Sequence, residues 1–413
     1  MRQSIIFILY LLCTFTARSQ SVLTPEQAGS IYYAYPAPPS TYTPAPTGYK
    51  PFYISHYGRH GSRWMTADER YTEVICVFDS LYQCSELTPL GVDVRERLHK
   101  VWEDARGCSG SITPLGERQH REIAERMYRN FPQVFRGGAF IDARSSTSLR
   151  CAMSMSYFTE RLKELNPALQ VNRRAYHRYM DYIAYTSPEG EKFASEKAPW
   201  RRGFREFEKK NVRPERLMAS LFVKPEAITD QDAMMRSLYW IAADMQNVEL
   251  DLSFYDIFEY EELVGVWKTV NARMYVCNAA APLNGGLMPR CAVPLLRNIL
   301  ESADAAIEKG TPAADLRFGH DTHLIRLLAL MQIEGCSNQE VDMEKFHLAW
   351  QDYRVSPMGA NLQLIFYRDK KNDILVKFLL NECEVTLPLK SKMVPYYSWK
   401  EVETFLAEVI GKE

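Results

Sequence analysis

The stretch Phe52-Tyr53-Ile54-Ser55-His56-Tyr57-Gly58-Arg59-His60-Gly61-Ser62-Arg63-Trp64 decides how the chain folds. It begins as a short apolar run with high β-propensity, breaks at Gly58 and then presents Arg59, His60 and Arg63. A buried strand that ends in a glycine-bounded loop is where open α/β sheets place their chemistry. One imidazole and two permanent cations suit an anionic ligand, and phosphate above all.

Two later segments repeat this arrangement of strand, loop and helix. Residues 137–144 predict a second core strand that ends at Arg144, followed by the helix-capping run Ser145-Ser146-Thr147-Ser148. Residues 315–319 predict a third, followed by His320, Asp321 and a buried helix. Strand ends at one edge of a sheet converge in space, so these polar groups are expected to meet. A phosphate dianion would compensate the buried cations.

The predicted fold class is α/β, with a central, mostly parallel sheet flanked by helices. Thr88-Pro89 and Thr113-Pro114 each predict the start of an amphipathic helix. Residues 361–367 and 374–379 predict two strands around a turn. The predicted division is a signal peptide (1–19), a Pro- and Tyr-rich arm (20–50), a first part of the α/β core (51–165), an inserted, mainly α-helical cap domain (166–282) and a second part of the core (283–413).

Composition excludes a general affinity for nucleic acid or for anionic membranes. The 413 residues carry a net charge of -1, with 46% hydrophobic and 24% charged residues. Any affinity for anions must therefore be local. The expected partner is a small-molecule phosphate ester, and no stable membrane insertion is expected.

The N-terminus is typical of an export signal. Arg2 precedes the apolar run of residues 5–12, and Ala17-Arg18-Ser19 forms a small-x-small cleavage site. This predicts a periplasmic or secreted protein. Eight cysteines follow the signal, so disulfides are plausible there, with Cys76/Cys84 and Cys277/Cys291 as the pairs nearest in sequence.

Three motifs together resemble the histidine acid phosphatases, the second branch of the histidine phosphatase superfamily. Arg59-His60-Gly61-Ser62-Arg63 resembles the RHGxR signature of that family. Arg144-Ser145-Ser146, followed by Arg150, resembles its second phosphate-binding segment, and Gly319-His320-Asp321-Thr322 resembles its HD motif. Two positions depart from the pattern: Trp64-Met65 stands where the family usually has proline, and His323 stands where it commonly has asparagine.

The resemblance implies a histidine phosphatase-like core, similar to that of phosphoglycerate mutase, and an exported phosphomonoesterase acting on phytate, inositol phosphates or sugar phosphates. His60 would attack phosphorus and Asp321 would be the general acid. The implied phosphate-binding residues are Arg59, Arg63, Arg144 and His320. Arg150 could be a supporting residue or a helix cap, and Thr322 and His323 could contact substrate or, for His323, pack behind the loop. No metal and no cofactor are implied.

Two alternative functions remain open at this stage. One is a phosphotransferase of the phosphoglycerate mutase type, from the other branch of the superfamily. The other is a protein of the same fold that binds a phosphate or phosphosugar without catalysis. Binding alone needs neither a nucleophile nor an acid, so the presence of both His60 and Asp321 argues against the second.

Overall fold

The computed structural model describes residues 23–36, 38 and 41–411. The predicted signal peptide, residues 1–19, lies outside the described residues. Within the described ranges, no helix is both long enough and apolar enough to cross a membrane.

A single mixed sheet forms the centre of the molecule. Its strands are β1 (Lys50–Arg59), β2 (Phe140–Ser145), β3 (Gln170–Arg174), β4 (Ala314–Gly319), β5 (Asn361–Arg368), β6 (Ile374–Leu380), β7 (Cys383–Val385) and β8 (Tyr396–Ser398). The order across the sheet is β3-β2-β4-β1-β5-β6-β7, and β8 pairs with β6. The first four strands are mutually parallel, whereas β5, β7 and β8 pair antiparallel with their neighbours. The predicted fold class is confirmed, with an antiparallel half added to the parallel one.

The position of β4 explains how distant segments of the chain meet. β4 lies between β1 and β2 and is parallel to both. Arg59, the last residue of β1, lies opposite Gly319, the last residue of β4. His60 and His320 therefore leave the sheet side by side, as the convergence of parallel strand ends requires.

Helices cover both faces of the sheet. They are α1 (Glu69–Gln83), α2 (Pro89–Ala105), α3 (Pro114–Asn130), α4 (Leu149–Leu165), α5 (Met180–Ile183), α6 (Pro188–Ala194), α7 (Arg201–Asn211), α8 (Glu215–Leu221), α9 (Gln231–Asp244), α10 (Tyr260–Asn278), α11 (Leu287–Arg290), α12 (Val293–Lys309), α13 (Asp321–Leu330), α14 (Phe346–Ala349), α15 (Asp352–Val355) and α16 (Trp399–Gly411). A 3-10 helix, Gln27–Tyr32, precedes the sheet.

The two predicted helix starts are confirmed by their caps. The hydroxyl of Thr88 accepts a hydrogen bond from the Gly91 amide at 3.0 Å, at the start of α2. The hydroxyl of Thr113 does the same for the Gly116 amide at 3.2 Å, at the start of α3. Each threonine satisfies one of the amides that the first helical turn leaves without a partner.

The helical region begins later in the chain than residue 166. β3 lies within the predicted insertion, yet it pairs with β2 and forms the edge of the central sheet. The inserted helices also share a core with the first part of the chain: the rings of Phe78 and Phe222 lie 5.1 Å apart, between α1 and the end of α8. β3 is short and mostly polar, and apolar periodicity does not reveal such a strand.

Two buried histidines pack behind the loop that follows β1. The rings of His56 and His120 both lie against Phe158 and Phe318. Burial lowers the pKa of each to about 3, so both imidazoles are neutral at ordinary pH. These histidines belong to the core.

The eight described cysteines are all unpaired. Cys76 lies within α1 and Cys84 follows its last residue. Eight residues of helix separate them by about 12 Å, which exceeds the reach of a disulfide. The expected disulfides are therefore absent from the described part of the chain.

Candidate active site

Arg59 closes β1 and is fully buried. One of its terminal nitrogens, Nη1, donates hydrogen bonds to the backbone carbonyls of Ile31 and Ser356, both at 2.7 Å. The other, Nη2, lies 3.2 Å from a carboxylate oxygen of Asp321. The guanidinium is therefore fixed on one side by the backbone, and its other side faces the residues that follow β4.

His60 is held in one orientation by its own backbone and by its neighbour. Its amide donates to the Gly319 carbonyl at 3.1 Å, which couples it to the end of β4. Its ring nitrogen Nδ1 lies 2.9 Å from the Gly61 carbonyl. A carbonyl can only accept, so Nδ1 carries the proton and Nε2 keeps the lone pair. Burial, followed by the charges of Arg59 and Arg63, holds the pKa of His60 well below its usual 6.5.

The loop after His60 depends on close backbone contact with the start of α3. A Cβ placed on Gly61 would lie 2.7 Å from the Gly116 carbonyl oxygen, and one on Gly116 would lie 2.1 Å from the Ser62 carbonyl oxygen. Any side chain at either position would separate the two segments. The Ser62 amide donates to Gln119 at 2.8 Å, which completes the support of the loop.

Arg63 lies at the bottom of the loop and is also buried. Its Nη1 donates to the hydroxyl of Tyr32 at 3.1 Å and to the carbonyl of Trp64 at 2.9 Å. Its guanidinium carbon lies 4.8 Å from the centre of the Tyr32 ring, a cation–π contact. Trp64 itself donates from its indole to Asp104 at 2.8 Å, so this residue fixes the loop to α2.

His320 and Asp321 begin α13. The His60 and His320 rings are 5.5 Å apart and nearly perpendicular. Burial, followed by the charge of Arg150, lowers the pKa of His320 to about 4. Burial acts to raise the pKa of Asp321, but Arg59 and His320 outweigh it and hold this pKa below its ordinary value.

Thr322 and His323 follow Asp321 in the first turn of α13. The amide of Thr322 donates to Asp321 Oδ1 at 2.7 Å, and its hydroxyl lies 3.2 Å from His323 Nδ1. Burial lowers the pKa of His323 to about 3, and its Nε2 is buried without a hydrogen-bond partner among the described residues. Thr322 faces a cavity, whereas His323 is a neutral imidazole packed behind it.

Arg144 does not lie with this cluster. Its guanidinium pairs with Asp142 and lies 3.4 Å from Asp315, and Asp142 also binds Arg174. Asp142 and Arg144 are two residues apart on β2, so they share a face of the sheet below its edge. The predicted placement of Arg144 around the His60 imidazole is wrong, because two carboxylates of the sheet hold its charge away from that edge.

Arg150 occupies the place predicted for Arg144. It lies in the first turn of α4, and its Nη2 donates to His320 Nε2 at 2.7 Å. Its charge also contributes to the lowered pKa of His60. Nε atoms of all three clustered arginines, Arg59, Arg63 and Arg150, are buried without a partner in the described chain. A buried donor without a partner calls for an explanation, and here three of them lie in one cluster around His60, where a single anion would satisfy them.

A cavity of about 460 Å³ opens beside Thr322 and extends under the inserted helices. Its lining includes the basic residues Arg236, Arg273 and Arg326 and one acid, Glu208. Glu208 pairs with Arg236 at 3.0 Å, which leaves the lining with a positive balance. The first turn of α13 thus connects the cluster at the sheet edge to a basic cavity.

Solved structures with a similar fold include an inositol polyphosphate phosphatase and two phytases. The multiple inositol polyphosphate phosphatase of Bifidobacterium longum, in complex with inositol hexasulfate, is 18% identical over 92% of this chain and 97% of its own, with a TM-score of 0.79. The phytase of D. castellii is 14% identical over 94% and 85%, with a TM-score of 0.69. The Hafnia alvei phytase in complex with myo-inositol hexakis sulphate is 11% identical over 89% and 98%, with a TM-score of 0.57. No protein of curated function matches the sequence significantly.

The sequence match places the chain in a family. The pattern of the histidine phosphatase superfamily (branch 2) matches residues 59–381, from the first arginine of the cluster to the residue after β6. That range holds His60, Arg150 and Asp321, which the fold brings together. The protein belongs to the histidine phosphatase superfamily, branch 2.

Proposed function

We propose that this protein is a phosphomonoesterase that hydrolyses phosphate esters through a phosphohistidine on His60. The observation that carries the proposal is the protonation and hydrogen bonding of His60 among the charged groups around it. The imidazole is neutral, its Nδ1–H is engaged by the Gly61 carbonyl, and Nε2 is left as the nucleophilic nitrogen. Three guanidiniums and one carboxyl group surround it.

In the first step, the lone pair of His60 Nε2 forms a bond to phosphorus. The bond from phosphorus to the ester oxygen breaks, and Asp321 gives its proton to the departing alcohol. Arg59, Arg63 and Arg150 bind the phosphoryl oxygens with their unpartnered donors, since charge gathers there during the transfer.

The protonation of Asp321 changes with the ligand. In the free site, Arg59 and His320 hold its pKa low. A bound phosphate dianion neutralises the nearby cations, which then no longer favour the carboxylate. Asp321 can therefore hold a proton in the complex, as a general acid must.

In the second step, the Asp321 carboxylate takes a proton from a water molecule, whose oxygen attacks phosphorus. The bond from phosphorus to His60 breaks, inorganic phosphate leaves, and both residues return to their initial states. Arg150, which donates to His320 Nε2 in the free site, turns to a phosphoryl oxygen while the ester is bound. The proton of the neutral His320 ring then moves from Nδ1 to Nε2 by exchange with solvent, and Nε2 donates to the same phosphoryl group.

The substrate is an ester that carries more anionic charge than one phosphate. Support comes from the cavity beside Thr322. Arg236 and Arg273 pair there with Glu208 and Glu196, whereas Arg326 donates to the neutral side chains of Asn278 and Thr186 and keeps its charge for an anionic group. The Bifidobacterium longum and Hafnia alvei enzymes were obtained as complexes with sulfated inositols. Phytate, inositol phosphates and sugar phosphates are therefore the proposed substrates, and the apolar N-terminal run supports export to the periplasm or the medium.

Measuring phosphate release across a panel of esters tests the proposal. The panel contains phytate, glucose 1-phosphate, other sugar phosphates, a nucleotide and p-nitrophenyl phosphate, assayed in EDTA at acid pH. We expect hydrolysis of p-nitrophenyl phosphate and a preference for phytate by kcat/KM. Phosphate binding without release from any ester would instead favour a binding protein, and transfer of phosphate between sugars would favour a mutase.

The two candidate arginines give opposite expectations. Arg150→Ala should lower kcat/KM by roughly 10²- to 10³-fold, because it removes a donor to the phosphoryl oxygens. Arg144→Ala should leave kcat/KM within about threefold, because its partners are Asp142 and Asp315 of the sheet. Steady-state kinetics on one ester, with melting temperatures for both variants, makes the comparison.

Arg144→Ala is also the matched control for loss of a partly buried positive charge. It is expected to destabilise the fold more than Arg150→Ala, since it removes a cation from both Asp142 and Asp315, and of these two carboxylates Asp142 alone keeps another cation, Arg174. A large loss of turnover in Arg144→Ala at an unchanged melting temperature would contradict this assignment.

A further inference from the structure

The N-terminal segment, the 3-10 helix Gln27–Tyr32, is built into the candidate site. Four of its residues, Ala28, Gly29, Ser30 and Tyr32, are buried. The segment precedes the first strand by many residues and has no motif that marks it as functional. The sequence predicted only a Pro- and Tyr-rich arm over residues 20–50, so the contacts of this segment with the site are a finding of the structure.

The segment touches two of the three clustered arginines. The carbonyl of Ile31 accepts from Arg59 Nη1 at 2.7 Å. The hydroxyl of Tyr32 accepts from Arg63 Nη1 at 3.1 Å, and the Tyr32 ring lies 4.8 Å from the Arg63 guanidinium carbon. These contacts engage the Nη1 atoms, and in both arginines Nε is left without a partner among the described residues.

Hydrogen bonds from the inserted helices and the loops fix the segment in place. Tyr239 donates from its hydroxyl to the Ala28 carbonyl at 2.6 Å, and the Met358 amide donates to the Tyr33 carbonyl at 2.8 Å. Asn247 joins the segment to the catalytic loop, because its amide donates to the Tyr32 carbonyl at 2.9 Å while its carbonyl accepts from the Ser62 hydroxyl at 2.7 Å.

Ser30 holds an unusual backbone conformation at the centre of the segment. Its φ is 61° and its ψ is -135°, a region that residues other than glycine rarely adopt. Its hydroxyl donates to Asp352, a buried carboxylate that also accepts from the indole of Trp267 at 3.1 Å. Such strain persists only where surrounding contacts impose it. Here it sits one residue before the carbonyl that binds Arg59.

We infer that Tyr32 is a positioning residue for the phosphate-binding arginines, and that the N-terminal segment is a fixed part of the cradle for the phosphoryl group. The inference rests on the proposed function. Through its hydroxyl and its ring, Tyr32 sets the plane of the Arg63 guanidinium. Through the Ile31 carbonyl, the same segment sets the plane of the Arg59 guanidinium. An arginine without these contacts would sample several rotamers, and each phosphoryl contact would then cost ordering entropy.

Three variants and one ligand test the inference. Tyr32→Phe removes only the hydroxyl, and Tyr32→Leu removes the hydroxyl and the ring. Tyr33→Phe is the matched control, because it is adjacent and its ring packs on Tyr353 instead of an arginine. The measurements are the dissociation constant of inorganic phosphate by calorimetry, kcat and KM for p-nitrophenyl phosphate, and the melting temperature.

Tyr32→Phe is expected to weaken phosphate binding by roughly 5- to 20-fold, with a similar rise in KM, since a hydrogen bond to a charged group is lost. Tyr32→Leu should weaken it further because the cation–π contact is lost as well. Tyr33→Phe should match the wild type. A purely structural role for Tyr32 would lower the melting temperature and leave the phosphate affinity of the folded protein unchanged.

The measurements distinguish failure of this inference from failure of the proposed function. If the wild type hydrolyses esters and Tyr32→Phe and Tyr32→Leu both bind phosphate like Tyr33→Phe, the positioning role is overturned while the phosphatase stands. If the wild type binds phosphate but releases none from esters, the proposed function falls, and the affinities still decide the role of Tyr32. A wild type that binds no phosphate overturns both.

Discussion

Replacing His60 with alanine is expected to abolish turnover, with a loss of at least about 10⁴-fold in kcat on every ester. The reason is chemical, because no other neutral imidazole in the cluster has its Nδ1–H engaged by a carbonyl and its Nε2 left beside the arginines. His320 Nε2 is already the acceptor of the Arg150 hydrogen bond. The measurement is phosphate release from p-nitrophenyl phosphate, which needs little help with its leaving group.

A second variant separates chemistry from folding. His60→Asn has no nucleophilic nitrogen, but its amide can still donate to the Gly61 carbonyl. It should fold and bind phosphate while remaining inactive. The exposed His177 provides a control, and His177→Ala should retain full activity. Turnover that survives in His60→Asn would show that the nucleophile lies elsewhere.

Asp321→Asn is expected to have the second largest effect, and its size should depend on the leaving group. An asparagine cannot protonate the departing oxygen, so esters of ordinary alcohols should lose about 10²- to 10⁴-fold in kcat. The p-nitrophenolate ion leaves without a proton, so its ester should lose much less. Measuring kcat on both esters with the same preparation provides an internal control for folding.

The pH dependence should change in the same variant. In the wild type, the acid must hold a proton in the enzyme–ester complex, so kcat on alkyl esters should fall as the pH rises through the pKa of bound Asp321. That decline should be absent from Asp321→Asn. Equal losses on both esters, together with an unchanged pH profile, would remove Asp321 as the general acid.

The sequence was sufficient to predict the sheet edge on which the site is built. The apolar run before Arg59 and the apolar run before His320 both form strands, and β4 lies directly beside β1. Their pairing follows from the rule that parallel strands end at the same edge. The two strands around residues 369–373 were also predicted, and β5 and β6 form that antiparallel pair.

The choice between Arg144 and Arg150 could not be made from strand ends alone. β2 continues to Ser145, so Arg144 faces along the sheet toward Asp142 and Asp315 instead of leaving it. Arg150 reaches the site from the first turn of α4, after the chain has reversed over the strand end. The sequence feature that pointed to Arg150 was the run of helix-capping residues Ser145–Ser148. A helix that follows a parallel strand has its first turn near the carboxyl end of that strand, and Arg150 lies in that turn.

No motif or periodic pattern in the sequence indicated a role for Tyr32. Its role depends on contacts with Arg63, which is 31 residues away, and with the inserted helices. Neither periodicity nor a motif records such contacts, because tyrosines among prolines are common in extended arms. Only the packing of the N-terminal segment against α9 and the catalytic loop brings this tyrosine to the arginines.

The central claim is that phosphate passes through a covalent bond to His60, and trapping that bond tests it most directly. Wild-type protein is mixed with a phosphate ester in EDTA, quenched in alkali, digested and analysed by tandem mass spectrometry, with His60→Asn treated in parallel. The prediction is one phosphorylated histidine, His60, in the wild type and none in the variant. Turnover by the wild type with no phosphoenzyme, or with the phosphate on another residue, would contradict it.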